Sequence, residues 1–258
     1  MITSVSNNKI KYVCELQTSS KARRREGCFA AEGLRMFTET PARLITEAYV
    51  TEGFLNNAGS DADIRNKLDM IKYETVSDRV FEKISGTVNP QGILTVVRYR
   101  AYEVKDIIAG GGVILLLENI QDPGNLGTML RTAEAAGTAG ILLSKGSVDV
   151  YSPKVIRSTM GAIYRMPVAY GDIFAIMNDM KNYGYRIHAA ALGFNSDYSD
   201  ADYSGNVGIL IGNEGNGLTK EAIECASDTV TIPMDGQAES LNAAVSAALL
   251  MYEARRNR

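Results

Sequence analysis

VILLLENIQDPGNLGTMLRTAEAAG, residues 113–137, decides the fold. Val113–Leu117 is an uninterrupted apolar run of strand length, the pattern of a strand buried on both faces. Asp122-Pro123-Gly124 then breaks the chain, and the spacing of Leu126, Leu130, Ala133 and Gly137 predicts a helix over 125–136. The strand–loop–helix unit recurs downstream. Strands are expected at 141–143, 187–192, 207–211 and 230–232. Helices are expected at 153–160, 172–183, 219–226 and 240–256. Apolar runs alternating with helical periods predict a mostly parallel sheet covered by helices on both faces.

Upstream, the pattern is that of a smaller α/β region. A helix is expected at 8–17, with Ile10, Val13, Cys14 and Leu16 near one face. Short strands follow at 28–31, 44–50, 71–76 and 93–97, with helices at 62–68 and 77–84. Residues 101–112, AYEVKDIIAGGG, read as a linker ending in a glycine hinge. The expected organisation is therefore an N-terminal domain at 1–105 and a C-terminal domain at 106–258.

Composition narrows the function. The chain has 258 residues and ordinary globular proportions. No apolar run approaches the ~18 residues of a membrane helix, and the N-terminus has no apolar signal region. Three scattered cysteines, Cys14, Cys28 and Cys225, argue against a disulfide framework and a zinc cluster, and for a reducing cytoplasm. Charge is uneven. Residues 1–105 carry 16 Lys and Arg against 13 Asp and Glu, whereas 106–258 carry 11 against 17. Lys21, Arg23, Arg24 and Arg25 follow Lys9 and Lys11, with Glu15 the one acid in the first 25 residues. Such an arm suits a polyanionic partner, although a run of this kind can also be a solvated helix end.

Three segments concentrate Gly, Asn and Ser beside single charges: 119–137, IGNEGNGLT at 211–219, and IPMDGQAESLNAAVSAALLMYEARR at 232–256. Each follows an expected strand, so in a parallel sheet all three lie at the rim where ligands bind. There is no P-loop, no GxGxxG after the first strand and no GxSxG. The one histidine, His188, sits in the apolar strand RIHAAALG and reads as a core residue, which leaves triads and zinc hydrolysis without their parts. The polar residues left in the segments are Asn119, Asp122, Asn125, Arg131, Asn213, Glu214, Asn216, Asp235, Glu239, Ser240 and Asn242. Taken singly, Arg131, Glu214, Ser240 and Asn242 each have a bland reading: a solvated helix arginine, a turn carboxylate, or, for Ser240 and Asn242, capping of the last helix.

Together, the segments closely resemble the three motifs of the SpoU (TrmH-like) branch of the SPOUT superfamily, RNA ribose 2′-O-methyltransferases. Asn119, Asn125, Gly127 and Arg131 match the first motif, 212–217 the second and 232–242 the third. The stretch 152–168 is also similar. The basic arm, FAAEGLRM at 29–36 and NPQGI at 89–93 resemble the RNA substrate-binding domain often fused in front. The resemblance implies a trefoil knot in the C-terminal domain, where the alternation of elements would give a plain sheet. It implies S-adenosylmethionine as donor, held by Leu192, Gly193, Gly212, Asn213, Gly215, Ile232, Met234 and Leu241. It further implies Arg131, Asn125, Glu214, Ser240 and Asn242 as catalytic residues, and Lys21, Arg23, Arg24 and Arg25 as RNA contacts. A homodimer, no metal and a 23S rRNA substrate complete the expectation. A tRNA 2′-O-methyltransferase and a noncatalytic RNA-binding or ribosome-assembly factor of the same fold are the alternatives.

Overall fold

A computed structural model describes residues 1–57, 61–194 and 196–257. In chain order the elements are α1 Asn8–Thr18, α2 Ser20–Glu26, β1 Cys28–Glu32, α3 Leu34–Glu39, β2 Ile45–Val50, α4 Glu52–Asn56, α5 Ala62–Asp69, β3 Tyr73–Thr75, α6 Asp78–Ile84 and β4 Ile93–Arg98. They continue with α7 Val104–Ala109, β5 Val113–Leu117, α8 Pro123–Ala136, β6 Gly140–Ser144, α9 Pro153–Thr159, β7 Val168–Gly171, α10 Ile173–Asn182, β8 Arg186–Ala190, β9 Val207–Ile211, α11 Lys220–Glu224, β10 Asp228–Val230 and α12 Ala243–Arg256. Two compact units result: 1–100 with 149–164, and 101–148 with 165–258.

The first unit is a four-stranded sheet in the order β1-β4-β2-β3, antiparallel except for the β2–β3 pair. Ile10, Val13 and Leu16 of α1 are fully buried against it with Tyr49, Phe81, Ile84, Leu94 and Val96. The excursion 149–164 belongs here because its aromatic rings do. Tyr151 and Tyr164 stack on Phe29 of β1 at 5.1 and 6.2 Å, and Tyr151 also stacks on Tyr99 at 4.2 Å.

The run 21–25 is part of a helix, α2, rather than a free arm. Ser19 caps it through the Ala22 amide, and Gly27 closes it in the left-handed conformation at φ 63°. Arg23 is 4% exposed. Its Nε and Nη2 donate to Asp149 at 2.8 and 2.7 Å, and its Nη1 to the carbonyl of Leu16 at 2.6 Å. Arg23 therefore leaves the set of RNA contacts expected from sequence: a guanidinium committed to a carboxylate and a carbonyl inside the unit has no donor face for phosphate. Lys21, Arg24 and Arg25 are exposed, with Arg25 paired to Glu26 and Glu15.

The second unit is an all-parallel six-stranded sheet in the order β10-β8-β9-β5-β6-β7. Every residue of β5, β6 and β9 is buried. The chain runs outward from β5 through β6 to β7, then crosses to the other side for β8, β9 and β10. Strand order reverses between β5 and β9, which marks the place where such sheets bind ligands.

Several expectations are corrected. β7 is an edge strand hidden in the sequence by Pro167 and by a length of only four residues. The linker carries α7, whose Ile107 and Ile108 are buried. The last strand ends at Val230, so Ile232 lies beyond it. The last helix begins at Ala243 with Asn242 as its N-cap, accepting from the amides of Ala244 and Val245 at 2.8 and 3.3 Å. Ser240 precedes the helix. Asn outcompetes Ser because its side-chain oxygen reaches both orphan amides here. Among the described residues, no helix is long and apolar enough to cross a membrane.

Candidate functional site

The switch point is tied together by side chains. Glu118, the residue after β5, is 3% exposed. Its carboxylate accepts from the Thr219 amide at 2.9 Å and the Thr219 hydroxyl at 2.8 Å, where Thr219 also caps α11. Asn119 follows at φ 54°, a left-handed conformation that Asn tolerates better than most side chains. Its amide donates to Ser144 Oγ at 2.8 Å, and its carbonyl accepts from Asn213 Nδ2 at 2.8 Å. The loops after β5, β6 and β9 are thereby held to one another.

Glu214 sits at the tip of the 212–219 loop. One carboxylate oxygen accepts from the Asp122 amide at 3.0 Å and Asn125 Nδ2 at 3.1 Å, and the other from the Gln121 amide at 3.1 Å. Partial burial opposes ionisation, but these bonds, led by that from the Gln121 amide, outweigh it and hold the carboxyl below its ordinary range. Asn125 Oδ1 in turn accepts from Asn242 Nδ2 at 3.0 Å. Residues 89 and 117 positions from Asn125 in sequence thus meet it at the N-terminal turn of α8.

Beside this network lies a cavity of about 390 Å³, within the ~300–1,000 Å³ usual for ligand sites. Leu192, Ile232, Met234 and Leu241 supply apolar wall, and 212–217 supply backbone. The loop is tight: the Asn213 and Gly217 amides each donate to the other's carbonyl, at 3.0 and 2.9 Å. A Cβ on Gly212 would overlap the backbone of Gly217 and Leu218, so only glycine lets the loop close there. Leu192 is brought to Ile232 because the Ala191 amide donates to the Val230 carbonyl at 3.1 Å and Thr231 Oγ1 donates to the Ala191 carbonyl at 2.8 Å.

Of the expected donor-binding residues, Leu192, Gly212, Asn213, Gly215, Ile232, Met234 and Leu241 line this cavity, and Gly193 does not. Of the expected catalytic residues, Asn125, Glu214 and Asn242 form one hydrogen-bonded chain, and Ser240 joins the cavity lining. Arg131 is not drawn in. It is exposed on α8, with no hydrogen-bond or ion-pair partner among the described residues. Sequence reading missed Glu118 and Thr219. The signal was a carboxylate closing an apolar strand, which must find donors if it is buried. Among the described residues, no group of three or more His, Cys, Asp or Glu could hold a metal ion.

Comparison with known proteins is consistent along the chain. Residues 112–252 match the SpoU rRNA Methylase family, and residues 7–95 match the MRM3-like substrate binding domain. The chain is 31% identical over 257 residues to the Bacillus subtilis (strain 168) 23S rRNA (guanosine(2553)-2′-O)-methyltransferase RlmP, covering 98% of each. It is 29% identical over 230 residues to a 23S rRNA (guanosine-2′-O-)-methyltransferase RlmB of Xanthomonas axonopodis pv. citri (strain 306), covering 85% of this chain and 92% of that one. Its fold is similar to the crystal structure of an AdoMet-bound rRNA methyltransferase from Sinorhizobium meliloti, with a TM-score of 0.85 at 30% identity over 99% of this chain and 97% of that one.

Proposed function

The chain belongs to the SpoU rRNA Methylase family, and from that premise we propose that it methylates a ribose 2′-hydroxyl of 23S rRNA with S-adenosylmethionine as donor. In this reading residues 1–105 take the RNA substrate and 106–258 carry the chemistry, in a cytoplasmic homodimer. The observation that carries it is the hydrogen-bonded chain Asn242–Asn125–Glu214 at the lip of the Gly212 cavity. A substrate hydroxyl arriving at that lip meets side chains already fixed by their own partners.

The cavity fits the donor in size and character. Apolar Leu192, Ile232, Met234 and Leu241 would enclose the adenosine, and the amides and carbonyls of 212–217 would meet its polar edges. When bound, S-adenosylmethionine supplies an electrophilic methyl group on a sulfonium. The protein's part is positioning, water exclusion and polarisation of the attacking hydroxyl. Glu214 is a positioning residue, since amides and Asn125 occupy both its oxygens. Arg131 is the one strong cation in the first motif. A guanidinium, with pKa above ~12, does not act as a base; Arg131 clamps the phosphate beside the target ribose and polarises its hydroxyl. The exposed stripe Val245, Leu249 and Tyr252 on α12 is the face assigned to the second subunit.

The test is transfer of tritiated methyl from S-adenosylmethionine to total RNA from cells lacking the protein, followed by mapping of the labelled nucleotide. Label at one ribose of 23S rRNA is expected. Label in tRNA would replace the substrate, and no label in any RNA, with no binding of the donor by calorimetry, would leave a noncatalytic RNA binder.

A further inference from the structure

Over β8 and β10, beside the segment 196–202, lies a second cavity, about 660 Å³ in volume. Its wall includes His188, the chain's one histidine, which is 1% exposed. The ring Nε2 lies 3.0 Å from the carbonyl oxygen of Asp202. A carbonyl can only accept, so Nε2 carries the proton, and Nδ1 of the neutral ring is a lone-pair acceptor. Burial lowers the imidazole's pKa and keeps it neutral, against the opposing pull of the Asp202 carbonyl and of Asp228. Nδ1 is buried without a hydrogen-bond partner among the described residues.

What Nδ1 faces is a second acceptor, Asp228 Oδ2, at 3.9 Å. Two neighbouring donors, on Arg186 and Tyr203, are engaged elsewhere. Arg186 Nη1 is 2.5 Å from Asp202, with its Nε 3.9 Å from Asp228. The hydroxyl of Tyr203, whose ring packs on His188 at 4.9 Å, donates to the Tyr198 carbonyl at 2.9 Å. Around this pair the wall carries Asp197, Asp200, Asp202 and Asp228 against Arg186. The hydroxyl and amide of Ser204, with Arg186, hold Asp202 down at about 2, and Ser199 lowers Asp197, so these two carboxylates are ionised at neutral pH.

The site lacks a donor and positive charge at the same point. The metal alternative fails because no metal-holding group of His, Cys, Asp or Glu exists among the described residues. A single ammonium nitrogen meets both needs. Charge-assisted hydrogen bonds of about 2.7–2.9 Å let one nitrogen, seated beside the line between them, reach both acceptors at their separation of 3.9 Å, from the side on which the Asp228 carboxylate is 56% exposed. A second ammonium on the same alkyl chain then meets Asp197 or Asp200 across the cavity. We propose that this cleft binds a polyamine, an alkyl chain bearing two or more ammonium groups, between His188 Nδ1 and Asp228.

The single histidine makes the test direct, and it needs no RNA. Spermidine is titrated into the full-length protein at pH 7 and the His188 ring resonances are followed by NMR, with sodium chloride at matched ionic strength as control. A saturable shift that sodium chloride does not reproduce is expected, weakened at least tenfold in Asp228→Asn, whose thermal melt checks that it is folded. Four results overturn the proposal: resonances that do not move, movement reproduced by sodium chloride, an unchanged titration in Asp228→Asn, or a ring already doubly protonated at pH 7 before spermidine is added.

Discussion

Glu118 and Thr219, 101 residues apart, are joined by two hydrogen bonds at the point where strand order reverses. The pair fixes the exit of the 212–219 loop as Asn119 and Asn213 fix its entry. Glu118→Ala removes the acceptor of the Thr219 amide and hydroxyl; Thr219 is exposed, so the loss is that of an ordinary hydrogen bond, about 0.5–1.5 kcal/mol each. For a chain of this size each kcal/mol lowers Tm by about 2–4 °C. Calorimetry should show that drop, and initial rates should show KM for S-adenosylmethionine rising more than kcat falls. Glu118→Gln keeps one acceptor oxygen and should lie between. An alanine variant with unchanged KM would separate this carboxylate from the donor site.

Arg131 carries the opposite expectation. It is exposed and bonded to nothing among the described residues, so its removal costs the fold little. Arg131→Ala should bind S-adenosylmethionine normally by calorimetry and lose methyl transfer by about 100-fold or more, the scale of a lost oriented charge at a reacting centre. Arg131→Lys should recover only a part, because an ammonium cannot clamp phosphate in a bidentate way. Near-normal turnover in the alanine variant would remove Arg131 from the chemistry.

Glu214 gives a pH dependence. Its pKa is lower in the folded chain than the ordinary ~4.3. The stabilisation is therefore complete above that ordinary value and is lost as pH falls through the depressed one. The Tm difference between wild type and Glu214→Gln should be constant from pH 8 to about pH 5 and close below about pH 4. A difference that persists at pH 3 would mean the carboxylate charge is not what holds Gln121, Asp122 and Asn125.

The second unit was legible in the sequence to the extent that period reveals burial. The runs at 113–117 and 207–211 are apolar throughout because both faces of a central strand are covered, and the three rim segments follow from a parallel sheet. What stayed hidden depends on contacts distant in sequence. The four residues of β7 are too few to show a period. The cap of α12 falls on Asn242, not Ser240, and Asn242 also reaches Asn125, 117 residues away. Arg23 reads as a member of a basic run until Asp149 is found beside it, 126 residues on. The site residues came from motif resemblance; their wiring through Glu118 and Thr219 came from the fold alone.

That wiring of Arg23 divides the basic run into two kinds of residue. Lys21→Ala with Arg24→Ala should leave Tm nearly unchanged and flatten the salt dependence of RNA binding, by about 0.7–0.9 in log–log slope for each phosphate no longer neutralised. Arg23→Ala removes a nearly buried guanidinium from Asp149, whose side chain is 25% exposed, and should appear as lost stability. An unchanged slope in the Lys21, Arg24 variant would take α2 out of the RNA interface.

The stripe on α12 makes the assembly testable. Val245, Leu249 and Tyr252 are 48, 38 and 45% exposed and fall three or four positions apart. Three large apolar side chains on one helical face are more than a solvated helix needs, while the opposite face, Ala247, Leu250, Met251 and Ala254, is already buried on the protein's own core. Covering the stripe with the same stripe of a second copy satisfies both at once, since a twofold interface is built from one patch used twice. Leu249→Glu places two carboxylates near that axis and, being at a surface position, leaves the protomer's own packing intact. Sedimentation velocity should give a dimer for wild type at micromolar concentration and a monomer for Leu249→Glu with a near-native Tm. A wild-type monomer at tens of micromolar would refute the assignment of this face.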